Sequence, residues 1–200
     1  KGQVHALGVI EFFDTPSSYT IKLDFIKNID EISLKAEQNN PFSNWGWVSK
    51  NNKTEEHESS AEYIGDGVSH TFKFHMVPLN GNNAMVCLGG STPPYFQIGR
   101  GKGSYIELPG ITDMSLVQIK AYAFSNYSRP LVEIQDTDGT IVSGGEAQQI
   151  PLEYDTSIVT EQETVYTLSS TAPGTPYRMV TANDQFLMMS HLILIYEPAD

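Results

Sequence analysis

From Val117 to Phe124 the side chains alternate without a break. Val117, Ile119, Ala121 and Ala123 take one side, and Gln118, Lys120, Tyr122 and Phe124 take the other. A period of two belongs to a strand with unlike faces. The flanks carry the same message. Tyr105 to Leu108 reads as a short strand stopped at Pro109-Gly110, a dipeptide that marks a turn. Ser125 to Ser128 is a loop, and Leu131 to Gln135 is the next strand with Val132 and Ile134 inward. Asp136-Thr137-Asp138-Gly139 then turns the chain, with Gly139 supplying a positive φ. Strand and turn at this spacing predict an antiparallel sandwich or barrel.

The rest of the chain agrees. His5 to Phe13 is an apolar first strand, and Tyr19, Ile21, Leu23 and Phe25 alternate with Thr20, Lys22 and Asp24. Ile26 to Gln38 fits either a helical face or a strand, and its β surroundings favour the strand. Asn39 to Gly67 is polar, includes the charged run Lys53 to Glu58, and holds Trp45-Gly46-Trp47; it is expected to be a long loop insertion. Phe72, Phe74 and Met76 point inward with Lys73 and His75 outward, and Asn80-Gly81-Asn82 predicts a hairpin between Phe72–Met76 and Ala84–Leu88. Gly89 to Gly103 reads as loop around Tyr95 to Ile98. Thr164 to Ser169 and Tyr177 to Thr181 are strands, and Phe186 to Tyr196 is an apolar run predicted as one central or crossing strand. Roughly ten to twelve strands result, which two packed sheets hold. No linker divides the chain, so 1–200 is expected to form a single domain with the insertion at about 39–67.

LGGSTPPYFQIGRGKGSYIELPGI, the alternating strand that follows it and VEIQDTDGTIV together resemble the galactose-binding-like jelly rolls of glycan-foraging gut bacteria, over roughly half the chain. Those domains occur as carbohydrate-binding modules and in secreted sugar-binding proteins. The resemblance implies an all-β, two-sheet antiparallel β-sandwich with jelly-roll topology. It also implies non-catalytic binding of oligo- or polysaccharide by an exported or cell-surface bacterial protein. Two alternatives stay open: a glycan-degrading enzyme of the same architecture, either polysaccharide lyase or glycoside hydrolase, and an adhesion or structural module that binds protein. Fold alone does not choose among them.

Charge narrows the partners. The net charge is -12, which speaks against nucleic acid and against anionic membrane surfaces. Neutral sugars are compatible with it. No stretch approaches the ~20 apolar residues of a membrane helix. The chain carries no signal segment, which bears neither for nor against export. Cys87 is the only cysteine, so no intrachain disulfide forms, and its place in the apolar run Ala84 to Leu88 reads as a buried strand thiol.

Five residues are candidates for sugar contact. Trp45 and Trp47 flank a glycine in a polar loop and fall on one side if the loop is extended. Tyr122 sits on the polar face of its strand, and Tyr127 with Arg129 pairs a ring with a planar multi-donor fork in the following loop. Each has a plain structural alternative: rings anchoring loops to the core, Tyr122 and Phe124 covered by the insertion, and Arg129 in a surface ion pair. No catalytic set emerges. The chain has 24 Asp and Glu, too many for any acidic pair to be informative, and it lacks the E-x-D-x-x-E strand signature, the G-x-S-x-G elbow and the P-loop. His5, His57, His70, His75 and His191 make no zinc spacing, so no metal residue is assigned. The jelly-roll resemblance implies a structural calcium between first and last strands, where Glu11, Asp14 and Glu197 are the nearest oxygen donors. His191 stands where related last strands carry an acid, so calcium is possible but not favoured.

Overall fold

The computed structural model describes residues 17–24, 32–34, 56–65, 68–79, 86–89, 95–99, 101–125, 128–153 and 160–199. Their regular structure is strand throughout: β1 (Tyr19–Asp24), β2 (Ile32–Leu34), β3 (His57–Gly65), β4 (Val68–Met76), β5 (Val86–Gly89), β6 (Tyr95–Ile98), β7 (Tyr105–Leu108), β8 (Met114–Phe124), β9 (Leu131–Gln135), β10 (Gln148–Gln149), β11 (Glu161–Thr167), β12 (Tyr177–Thr181), β13 (Leu187–Met189) and β14 (His191–Pro198). One sheet runs β1-β14-β8-β11, a second runs β10-β9-β12-β7-β4-β3-β2, and a small third runs β13-β6-β5.

The pairing is that of a jelly roll. Take β1, β7, β8, β9, β10, β11, β12 and β14 as eight strands in chain order. First pairs with last, second with seventh, third with sixth and fourth with fifth, all antiparallel. Four nested pairs are one long hairpin, and rolling it brings β14 beside β8 and β9 beside β12. The remaining strands are additions: β4, β3 and β2 extend the second sheet beyond β7.

The core lies between the sheets because each strand alternates. Ile119, Ala121 and Ala123 of β8 meet Leu192, Leu194 and Tyr196 of β14 on the inner side of the first sheet; Val132, Ile134, Ile106, Leu108, Phe72 and Phe74 line the second. Each large apolar side chain so buried contributes about 1.5–3 kcal/mol. Three tyrosine hydroxyls tie the layers together. Tyr166 of β11 donates to the Val132 carbonyl at 2.7 Å, Tyr196 of β14 to the Pro109 carbonyl at 2.7 Å, and Tyr19 of β1 lies 2.8 Å from His70 Nε2 of β4.

The strands at Tyr105–Leu108, Leu131–Gln135 and Tyr177–Thr181 have the expected bounds. Other expectations need correction. The end of the anticipated loop, His57–Gly65, is strand β3, paired along its length with β4. Polar composition hid it, since cross-strand hydrogen bonds hold a strand whatever its side chains; Ser69 Oγ donates to Glu62 Oε1 across this pair at 3.0 Å. Tyr95–Ile98, read as loop, is β6, and it pairs with β5, so the predicted hairpin of Phe72–Met76 with Ala84–Leu88 does not form. Phe186 to Tyr196 is two strands in different sheets, broken at Ser190. Val117 does not follow the inward phase. The register of β14 slips between Ile195 and Tyr196, whose partners are Gln118 and Leu116. Val117 is the extra residue of this bulge, so Leu116 is buried in its place and Val117 is half-exposed. His5–Phe13, residues 26–31 and 35–38, and Asn39 to Glu55 lie outside the described residues.

Candidate functional site

Two sheet faces look away from the core, and each carries an ordered polar arrangement. On the second sheet, register sets Lys73 of β4, Glu107 of β7, Arg178 of β12 and Gln135 of β9 in one row. Glu107 is only 6% exposed and stands between its neighbours: Lys73 Nζ donates to Oε1 at 2.7 Å and Arg178 Nε to Oε2 at 2.9 Å. Burial pushes the Glu107 carboxyl up, but the two cations more than offset it, and the net shift is downward. Arg178 also donates from Nη1 to the Thr137 carbonyl at 2.9 Å. That carbonyl is held by the Asp136–Gly139 turn, where Asp136 Oδ1 accepts from the Asp138 and Thr140 amides and Gly139 takes φ +87°.

One row along, His75 of β4 stacks on Tyr105 of β7 at 4.9 Å between centroids, with planes 18° apart. Arg178, from the other flanking strand, sets its guanidinium carbon 4.4 Å from the centre of the same ring. His75 is flanked by carboxylates, with Glu56 at 3.3 Å from Nε2 and Glu58 at 3.4 Å from Nδ1. Burial raises the Tyr105 hydroxyl pKa, and Glu58 and Glu107 add to this while Arg178 opposes it, so the group stays a neutral donor and acceptor. The planar groups stand side by side across three strands. Stacked in this way, His75, Tyr105 and Arg178 cover one another's faces, and His75 Nδ1 is buried without a hydrogen bond among the described residues.

On the first sheet, Tyr122 of β8 lies opposite Glu163 of β11 and His191 of β14. Its hydroxyl donates to Glu163 Oε2, and chiefly for that reason its pKa is pushed up to about 12. His191 meets the ring edge-on at 5.8 Å. His191 Nδ1 in turn lies 2.8 Å from Glu161 Oε1, which also accepts from Ser190 Oγ. The neighbouring outward residues Ile193, Ile195 and Val165 are apolar and half-buried.

Of the residues singled out from sequence, Tyr122 lies on this face, half-buried and hydrogen-bonded to Glu163. Arg129 is exposed in the β8–β9 crossing, where its carbonyl accepts from Asn183 Nδ2 at 3.2 Å. Trp45, Trp47 and Tyr127 lie outside the described residues. So do Glu11 and Asp14, while Glu197 is exposed at the end of β14. Among the described residues, no group of three or more His, Cys, Asp or Glu side chains could hold a metal ion. No helix among them is long and apolar enough to cross a membrane. Sequence reasoning placed Lys73 and His75 outward but missed Tyr105, Glu107 and Arg178. The signal was there: all three occupy outward positions of strands whose alternate residues are core.

No protein-family model matches the chain, and neither does any curated protein sequence. Solved structures give distant likenesses. A glycoside hydrolase family 43 arabinoxylan arabinofuranohydrolase from Bacillus subtilis matches at 12% identity and TM-score 0.33, over 72% of this chain and 38% of that one, so this chain spans well under half of the hydrolase. The family 11 carbohydrate-binding module of a cellulosomal cellulase from Clostridium thermocellum matches at 9% identity and TM-score 0.29, over 92% and 97%. The N-terminal cellulose-binding domain of a Cellulomonas fimi β-1,4-glucanase matches at 12% identity and TM-score 0.25, over 69% and 84%. At these scores the jelly roll rests on the strand pairing itself, and the likenesses carry no further argument.

Proposed function

We propose that this protein is a non-catalytic carbohydrate-binding module of an exported or cell-surface bacterial protein, and that it takes its ligand on the outer face of the second sheet. The observation that supports this reading is the His75–Tyr105–Arg178 stack beside the Lys73–Glu107–Arg178 row. Planar side chains locked by stacking and ion pairs cost little entropy on binding, because they are already ordered. The Tyr105 hydroxyl and the Arg178 guanidinium, with the carboxylates of Glu56 and Glu58 close by, offer donors and acceptors that suit the hydroxyls of an extended oligosaccharide. Glu56, Glu58, Glu107 and Glu133 outnumber Lys73 and Arg178 here, so a neutral glycan fits the face better than a polyanionic one. Trp45, Trp47, Tyr127 and Arg129 stand as proposed additional contacts, the three aromatics supplying ring faces; Tyr122, on the outer face of the first sheet, stands as a proposed contact apart from this face. The test is a glycan array followed by calorimetry on Tyr105→Ala, Arg178→Ala, Trp45→Ala and Trp47→Ala. Dissociation constants of ~10 μM to 1 mM are expected for the best oligosaccharide, about 4–7 kcal/mol. Binding at least tenfold weaker in the Tyr105 and Arg178 variants supports the face. An array with no neutral glycan retained, or unaltered affinity in both variants, refutes the reading.

A further inference from the structure

A concavity lies at the far end of the first sheet, where β8 begins and β14 ends. Its volume is about 420 Å³, within the range of small-ligand sites. The β8 bulge shapes one wall: Val117, displaced from the inward phase, lines it beside Leu168 and Pro173. The rim is the turn at Ser169-Ser170, in which Ser170 takes φ +63°, a left-handed conformation that a residue with a Cβ rarely adopts. The turn is pinned on both sides. Ser169 N donates to the Ser143 carbonyl at 3.0 Å, Ser115 Oγ donates to the Thr171 carbonyl at 3.1 Å, and Thr171 Oγ1 donates to the Leu116 carbonyl at 2.8 Å. The surroundings thus hold Ser170 in its costly conformation, and such outliers collect at ligand sites. Across the concavity stands the exposed Glu197. Neither its carboxylate nor the hydroxyls of Ser169 and Ser170 make a side-chain hydrogen bond among the described residues.

We infer that this concavity is a second binding site, for a single neutral polyol unit such as the terminal ring of a glycan. The ligand class rests on the carbohydrate reading; the site itself is separate from the second sheet's face. A lone carboxylate accepts two charge-assisted hydrogen bonds from vicinal hydroxyls. The serine hydroxyls both give and accept, which matches a sugar hydroxyl in either role. Val117, Leu168 and Pro173 form a small apolar patch for C–H groups. Among the described residues no lysine or arginine lines the concavity, which favours a neutral over an acidic sugar, and no aromatic lines it, so binding without ring stacking is expected to be weak.

The experiment is backbone amide NMR of the full chain titrated with the methyl glycosides of glucose, galactose and mannose, and separately with calcium chloride. Saturable shifts of the Ser169, Ser170, Thr171 and Glu197 amides are expected with at least one glycoside, at dissociation constants of ~1–10 mM. Glu197→Gln should weaken that binding at least tenfold, and Ser170→Gly, which relieves the left-handed strain, should weaken it without lowering the melting temperature. Tyr105→Ala should leave it unchanged. The site is refuted by an absence of saturable shifts up to ~100 mM of every glycoside, by shifts with calcium alone, or by full binding in Glu197→Gln. Oligosaccharide binding that Tyr105→Ala abolishes and Glu197→Gln spares would keep the sheet-face reading while this site falls. Glycoside binding at Glu197 with no oligosaccharide on the sheet face would do the reverse.

Discussion

Glu107 is the place where a single charge can be removed with least change of shape. In Glu107→Gln the amide keeps one acceptor oxygen but turns an NH2 group toward a cation. The Lys73 arm contributes little, because that side chain is 64% exposed and near-surface pairs are worth about 0–1 kcal/mol. The Arg178 arm contributes more. Its side chain is 24% exposed and the carboxylate 8%, and a hydrogen bond to a charged partner is worth about 1.5–3 kcal/mol. Set against the cost of burying the carboxylate, a loss of about 2 kcal/mol is expected at pH 7. For a chain of this length that is a fall in Tm of about 4–8 °C. The pH dependence fixes the cause. The folded-state pKa lies below the ordinary 4.5, so the contribution is present in full above that value and is lost as pH falls through the lowered one. Thermal melts of wild type and Glu107→Gln should therefore differ at pH 7 and converge in acid. A double-mutant cycle with Arg178→Met should give a coupling of about 1 kcal/mol or more. An equal Tm gap at both pH values, or a coupling under about 0.3 kcal/mol, would refute the ion-pair account.

Three further outcomes follow from the core. Thr164 is 1% exposed and its hydroxyl makes no hydrogen bond among the described residues, so Thr164→Val should raise stability by about 1 kcal/mol in urea denaturation; a loss would show that the hydroxyl is satisfied. Tyr166→Phe leaves the Val132 carbonyl without its donor and should cost about 1–3 kcal/mol by the same measurement, with the far-UV spectrum unchanged. Gly144→Ala should abolish folding or cost several kcal/mol by either melt, because its Cβ would sit 1.9 Å from the Thr167 carbonyl oxygen at φ +83°; a variant that melts like wild type would show that the β11 end moves aside freely.

The sequence by itself determined the local grammar of this protein. Alternation specified β9 and, apart from Val117, β8 together with their inward faces, because burying one face of a strand requires apolar side chains at every second position. The DTDG turn was equally legible, since a short polar side chain and a glycine close it without help from the rest of the fold. Partner choice was decided only in three dimensions. Nothing within His57–Gly65 marks it as a strand; its cross-strand bonds to β4 make it one. The same holds for Tyr105, Glu107 and Arg178, which are 71 positions apart from Glu107 to Arg178 and become neighbours only because β12 lies beside β7. The bulge at Val117 is a matter of register between β8 and β14, and no pattern within either strand displays it. A strand's sequence encodes which face is buried; which strand lies beside it is settled by packing the two sheets over one core.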